Sequence, residues 1–258
     1  MSRKLLGIGL LVIACTVVTA APPATPAPTP YIPPYEAFPP PLDKDWFSNH
    51  NHLVGLVNQA SSKPQLDIYF LGDSITEFWT AKGLGEPVWD AEYSGKYRVL
   101  NNGVRGDTTQ NILWRITHGE FDKIHPKVIV LLAGINNLGL DPSLKPADLA
   151  KGIQAIIAYL HAKSPESKII LVSILPSGEH STDAVRKRIQ DTNAIIAKFA
   201  DGKTVYFLDI YNSFLDAHGT FIPALTPDYT HLTTEGYKVW ADAMRELLQK
   251  LLGEPTGN

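Results

Sequence analysis

The sequence predicts a doubly wound α/β domain, a three-layer α/β/α sandwich around a five-stranded parallel sheet. Five short apolar runs recur along the chain, at residues 67–71, 98–100, 128–132, 168–173 and 204–208. Stretches of helical periodicity fall between and after them, over 111–117, 147–161, 183–199 and 234–252, and no internal repeat competes with that reading. Parallel strands read as continuous apolar runs because helices cover both faces of their sheet.

Taken in order, residues 43–60 come first as an amphipathic helix, with Trp46, Leu53, Leu56 and Val57 at helical spacing. The first run leads directly into Gly72-Asp73-Ser74, and the second into the glycine-bearing stretch from Asn101 to Thr108. The third and most apolar run ends at Ala133-Gly134-Ile135-Asn136-Asn137. The fourth precedes Leu175-Pro176-Ser177-Gly178-Glu179, and the loop Asp228-Tyr229-Thr230-His231 stands just before the last helix. The alternation and strand count are flavodoxin-like. Sheets of this kind bind ligands at the carboxyl ends of their strands, which is where these loops fall.

Composition narrows the function classes. The 258 residues carry 23 Lys and Arg against 26 Asp and Glu, a formal charge of −3, which gives no basic footprint for nucleic acid. A hydrophobic share of 44% excludes wholesale disorder. The single cysteine, Cys15, excludes an internal disulfide and every cysteine-rich zinc motif. Arg3 and Lys4 followed by an apolar run over 5–20 read as an export signal, with Val18-Thr19-Ala20 as the cleavage pattern. Val12-Ile13-Ala14-Cys15 supports the competing reading, a lipoprotein box whose lipidated Cys15 tethers the product to a membrane. Ten of the twenty prolines lie between Pro22 and Pro41, so residues 21–42 are expected to be an extended linker. The expected organisation is a signal peptide over 1–20, this linker, a catalytic domain over 43–253 and a tail over 254–258.

Each loop has a chemical reading and a blander one. A serine at the end of a strand projects its hydroxyl at the sheet edge, yet Asp and Ser are also the commonest helix caps. Glycines after the second strand let a backbone N–H approach a ligand, or simply make a turn. An asparagine after the third strand can donate into the same crevice. Aspartate three residues before histidine can fix the imidazole tautomer and leave the other nitrogen as a base, or can cap the following helix. Singly, the bland readings win; the four together, in this order, do not fit coincidence.

The four blocks resemble the SGNH (GDSL-type) hydrolase superfamily. The stretch 98–132, the Leu175-Pro176-Ser177-Gly178-Glu179 run and the Asp228 loop look like the catalytic α subunits of platelet-activating-factor acetylhydrolase type I, a resemblance extending from about Trp46 to Leu252. It implies Ser74 as nucleophile, Asp228 as orienting acid and His231 as general base. The implied oxyanion donors are the backbone N–H groups of Ser74 and Gly106 and the side-chain amide of Asn136, with Gly103 shaping the turn. Two positions depart from common patterns: Arg105 stands where close relatives often carry glycine, and Asn137 replaces the aspartate of the wider superfamily.

The resulting expectation is an exported serine esterase acting on short, acetyl-type esters, with no cofactor and no metal. The substrate is expected to be a small ester such as an acetylated sugar or an acetyl-phospholipid, and the resemblance makes a homodimer plausible. A non-catalytic surface-binding protein on the same fold is the alternative of a different class. Nucleotide or flavin binding lacks a glycine-rich phosphate loop after the first strand. Outside the four blocks, His50-x-His52 reads as a poor metal pair, because residues two apart do not share a helical face. Asp216 and His218 read as a surface turn, Trp79, Trp89 and Trp114 as core or rim with Trp79 near enough to line a pocket, and Arg186-Lys187-Arg188 as a solvated helix face.

Overall fold

In the computed structural model, residues 44–62 and 65–253 are described. The expected signal peptide with Cys15, the proline-rich linker and the tail over 254–258 lie outside the described residues. The expected alternation is present as β1 (Ile68–Gly72), β2 (Val99–Gly103), β3 (Val128–Leu132), β4 (Lys168–Val172) and β5 (Val205–Leu208). All pairings are parallel and the spatial order is β2-β1-β3-β4-β5, the flavodoxin-like arrangement. Every residue of β1 and β3 is buried, as their apolar runs require of central strands.

The helices are α1 (Lys44–Ser61), α2 (Ser74–Glu77), α3 (Glu86–Glu92), α4 (Thr109–Arg115), α5 (Ile135–Leu140), α6 (Pro146–Lys163), α7 (Ala184–Ile196) and α8 (Thr234–Leu252). Helix α4 packs on α6 and α6 on α7, while α3 packs on α8. Right-handed crossovers explain this division. The chain moves one way from β1 to β2 and the other way through β3, β4 and β5, so the connecting helices change faces. The reversal leaves a crevice between the carboxyl ends of β1 and β3.

The sequence reading cut β2 short at Leu100, whereas the strand continues through Asn101 and Asn102 to Gly103. Two asparagines end an apolar run on paper, but here their side-chain amide nitrogens find acceptors. The Asn101 amide donates to the carbonyls of Thr76 and Glu77 at 3.0 and 3.1 Å, and the buried Asn102 amide donates to Glu120. The short helices α3 and α5 leave no period of their own in the sequence, since six or seven residues are too few to show one.

Candidate active site

The capping question at the first loop is settled by Asp73, whose carboxylate accepts the Ile75 N–H at 3.0 Å. Asp73 is therefore the N-cap of α2, and Ser74 is the first helical residue with its hydroxyl free for other use. The Asp228 loop is not a cap either, because Thr233 caps α8 by accepting the Gly236 N–H at 3.2 Å.

What Asp228 and His231 do instead is meet Ser74. Ser74 Oγ lies 2.9 Å from His231 Nε2, and His231 Nδ1 lies 2.7 Å from Asp228 Oδ2. The arrangement fits a neutral imidazole that donates from Nδ1 and accepts the serine proton at Nε2. The other carboxylate oxygen of Asp228 accepts the His231 and Thr230 N–H groups at 2.8 and 3.1 Å. Burial pushes the Asp228 pKa up, but the ring hydrogen bond and these backbone donors outweigh it, and the carboxyl sits below its ordinary value. Its side chain is nevertheless 50% exposed, against 28% for His231. The Phe78 ring flanks the imidazole with centroids 5.1 Å apart.

The second loop forms a β-turn from Val104 to Asp107, closed by the Asp107 N–H on the Val104 carbonyl at 3.2 Å. Gly106 holds φ of 78° in it, the value a type II turn requires at its third position. Gly103, expected to shape this turn, has another reason to be glycine: a Cβ there would lie 2.0 Å from the Glu77 nitrogen, so it lets α2 press against β2. Among the described residues, neither the Gly106 N–H nor the Ser74 N–H has a protein acceptor. The Asn136 amide uses one hydrogen on the Asp107 carbonyl at 2.9 Å and keeps its second. Three donors thus stand at the ends of β1, β2 and β3. Asn137 points elsewhere, accepting the Thr109 N–H at 2.9 Å and tying α5 to the start of α4.

Supports outside the recognised blocks fix this arrangement. Glu77 accepts the Arg105 backbone N–H at 2.6 Å and the Arg105 guanidinium at 2.6 and 3.1 Å, joining the helix of Ser74 to the turn of Gly106. The exposed Arg105 side chain then lies over the Phe78 ring, 5.6 Å from its centroid. Under the Asp228 loop, the Gly178 N–H donates to the Tyr229 carbonyl at 2.9 Å, and Ser177 and Thr230 pair through their hydroxyls at 2.9 Å. Tyr229 takes φ of 60°, the one left-handed non-glycine among the described residues.

The expected solvated face at 186–188 is corrected here. Arg186 is buried and donates to the Gly178 and Glu179 carbonyls at 2.9 and 3.2 Å. Arg188 donates to the Leu138 carbonyl in α5 and to the Asp141 and Leu144 carbonyls just after it. Lys187 alone fits the expectation, pairing with Asp191 on the surface. A basic run on a helix gives no sign that one member turns inward to carry a loop.

The remaining candidates fall away from the site. His50 is buried against Glu120 and His52 is exposed, and among the described residues no group of three His, Cys, Asp or Glu could hold a metal ion. Trp79 is fully buried in the core. Asp216 accepts the His218 and Thr220 N–H groups at 2.8 and 2.9 Å, a surface turn.

Residues 70–239 match the model of the GDSL-like lipase/acylhydrolase family. The chain belongs to this family. As a GDSL-like acylhydrolase it is a carboxylic ester hydrolase, and its five-stranded parallel sheet is the fold of that group. The resemblance to acetylhydrolase α subunits also holds. Platelet-activating factor acetylhydrolase IB subunit alpha2 of Rattus norvegicus is 31% identical over 212 residues, covering 82% of this chain and 87% of the relative. Among solved structures, a GDSL-like lipase from Bacteroides thetaiotaomicron aligns with a TM-score of 0.64 at 22% identity, over 80% of this chain and 100% of that one. A variant of an acetyl xylan esterase from Geobacillus stearothermophilus aligns with a TM-score of 0.57 at 20% identity, over 75% and 97%. At such identities the two structures speak for the fold.

Proposed function

We propose that this acylhydrolase is an exported serine esterase that cleaves short, acetyl-type esters through Ser74, His231 and Asp228. The observation that carries the reading is the unbroken hydrogen-bonded line from Ser74 Oγ through the imidazole to Asp228, with links of 2.9 and 2.7 Å. His231 Nε2 takes the hydroxyl proton as Oγ bonds to the ester carbonyl carbon. The carbonyl oxygen becomes an oxyanion between the Ser74 and Gly106 N–H groups and the Asn136 amide. The imidazolium, stabilised by ionised Asp228, then protonates the departing alcohol. Water adds to the acyl-enzyme by the same route, and the released acid leaves Ser74 free.

The acyl preference draws on the relatives, whose name describes acetyl removal. Among the described residues the loops around Ser74 are short and carry no inserted lid, which favours short acyl chains over long ones. Hydrolysis of nitrophenyl esters from two to twelve carbons tests this: activity is expected to peak at the acetyl end, and a peak at eight carbons or longer contradicts it. The alcohol half separates among acetylated xylan, acetylated sugars and acetyl-phospholipid in the same assay. Export rests on the basic start and apolar run over 5–20; a secreted product beginning after Ala20 supports it. A lipidated Cys15 as the mature N-terminus supports the membrane-tethered form.

A further inference from the structure

Behind the turn that carries Gly106 lies a group of buried charges that the ester chemistry does not use. Asp107 is its centre. One carboxylate oxygen accepts the Trp46 indole N–H at 2.8 Å and the other accepts Arg115 Nε at 2.6 Å. Arg115 also pairs with Glu120, and its remaining nitrogen donates to the carbonyls of Gly72 and Asn102 at 3.3 and 3.2 Å, at the ends of β1 and β2. Glu120 is held in turn by His50 Nδ1 at 2.6 Å and by the Asn102 amide, while its own carbonyl accepts the Tyr69 hydroxyl at 3.0 Å. Trp46, His50, Asp107, Arg115 and Glu120 are all buried. Burial opposes the charge on Arg115, but the two carboxylates outweigh it and hold the guanidinium protonated.

Two of these side chains, Trp46 and His50, come from α1, which contributes nothing to the Ser74 site directly. Their effect reaches it through Asp107, whose N–H closes the Gly106 turn and whose carbonyl accepts the Asn136 amide. Buried ions held by partners on each carboxylate oxygen tolerate little displacement, because losing a partner strands a charge away from water. Fixing the Asp107 carboxylate at both oxygens therefore fixes the backbone on which two of the three oxyanion donors depend. We propose that Trp46, with His50 behind it, is a positioning residue of the esterase, holding the Gly106 N–H and the Asn136 amide at the oxyanion through Asp107. The proposal rests on the oxyanion assignment made above.

The test is Trp46→Phe in the full chain. The substitution keeps a ring against Phe47 and Trp114, whose centroids lie 5.3 and 5.4 Å away, and removes the indole N–H that reaches Asp107. Deleting a direct oxyanion donor costs ~10²–10³ in rate, and loosening two indirectly is expected to cost about tenfold in kcat on p-nitrophenyl acetate. KM should stay within about twofold, because ground-state binding does not use the hole. Affinity for an acetyl trifluoromethyl ketone, which presents an oxyanion to the same donors, should fall by the same factor as kcat. In an Asn136→Ala background the Trp46→Phe effect should shrink, since part of what it positions is gone. His50→Gln probes the network from its other end and is expected to show the same kcat-only loss at a few-fold. Wild-type kcat in folded Trp46→Phe and His50→Gln overturns the proposal. So does a loss that is fully additive with Asn136→Ala. If Asn136→Ala itself keeps wild-type kcat, the oxyanion assignment fails first and takes this proposal with it; if Asn136→Ala is crippled and Trp46→Phe is not, only the present proposal falls.

Discussion

Gly106→Ala gives a graded test of the oxyanion assignment. Space does not oppose the change, since a Cβ at Gly106 would meet nothing within 4 Å. The cost is conformational: φ of 78° places an L-residue in the left-handed region, at about 1–2 kcal/mol. Alanine can escape it by flipping the Arg105–Gly106 peptide into a type I turn, which turns the Gly106 N–H away from the oxyanion. If the flipped turn is favoured by that strain, the active turn is populated roughly 5- to 30-fold less, and kcat falls by that factor. Stability should drop by only ~2–4 °C per kcal/mol for a domain of this size. Gly106→Asn should recover part of the loss, because asparagine visits left-handed φ readily. The assay is steady-state hydrolysis of p-nitrophenyl acetate alongside thermal melting. Wild-type kcat in folded Gly106→Ala refutes the role of this N–H, and a loss beyond ~10³ shows that Gly106 does more than present a donor.

Further outcomes follow from the same geometry. Asp228→Asn keeps an oxygen for the Thr230 and His231 N–H groups but removes the charge beside the imidazole. A buried triad acid loses ~10⁴ in kcat on this change, and the half-exposed Asp228 is expected to lose about 10²–10³; a loss under tenfold contradicts its role. Asp73 offers a stability test. Its burial, with the Asp107 charge adding to it and the Ile75 N–H opposing it, raises its pKa to about 7. The folded chain then binds a proton that the unfolded chain has lost, so stability falls as pH rises from the ordinary carboxylate range to about 7. Asp73→Asn removes that slope. Its unfolding free energy relative to wild type should improve by about 3 kcal/mol or less between pH 5 and pH 8, and a pH-independent difference refutes the buried-proton account.

Much of the fold was legible because burial writes itself as apolar runs: the runs 67–71, 128–132 and 168–173 mark β1, β3 and β4 to within one residue. β2 was half hidden because Asn102 is buried on the strength of Glu120, a partner eighteen residues away that no local pattern announces. The site was legible in its parts but not in its links. Ser74 and His231 are 157 positions apart, and only the crossover topology brings the ends of β1 and the last loop together. Sequence offered capping as the simpler reading for both, and the structure shows Asp73 and Thr233 doing that work instead. The supports were not legible at all. Glu77, Arg115, Glu120 and Arg186 look like surface residues of helices until partners on other loops and helices turn them inward.

The most direct test of the central claim, that His231 activates Ser74 as a nucleophile, is reaction with an alkyl fluorophosphonate followed by intact-mass and peptide analysis. Wild-type protein should gain one adduct, on the peptide carrying Ser74. Ser74→Ala should gain none while melting like wild type, and His231→Ala should label far more slowly at the same serine. An adduct on another residue, or a folded and ester-hydrolysing protein whose Ser74 stays unlabelled, contradicts the account.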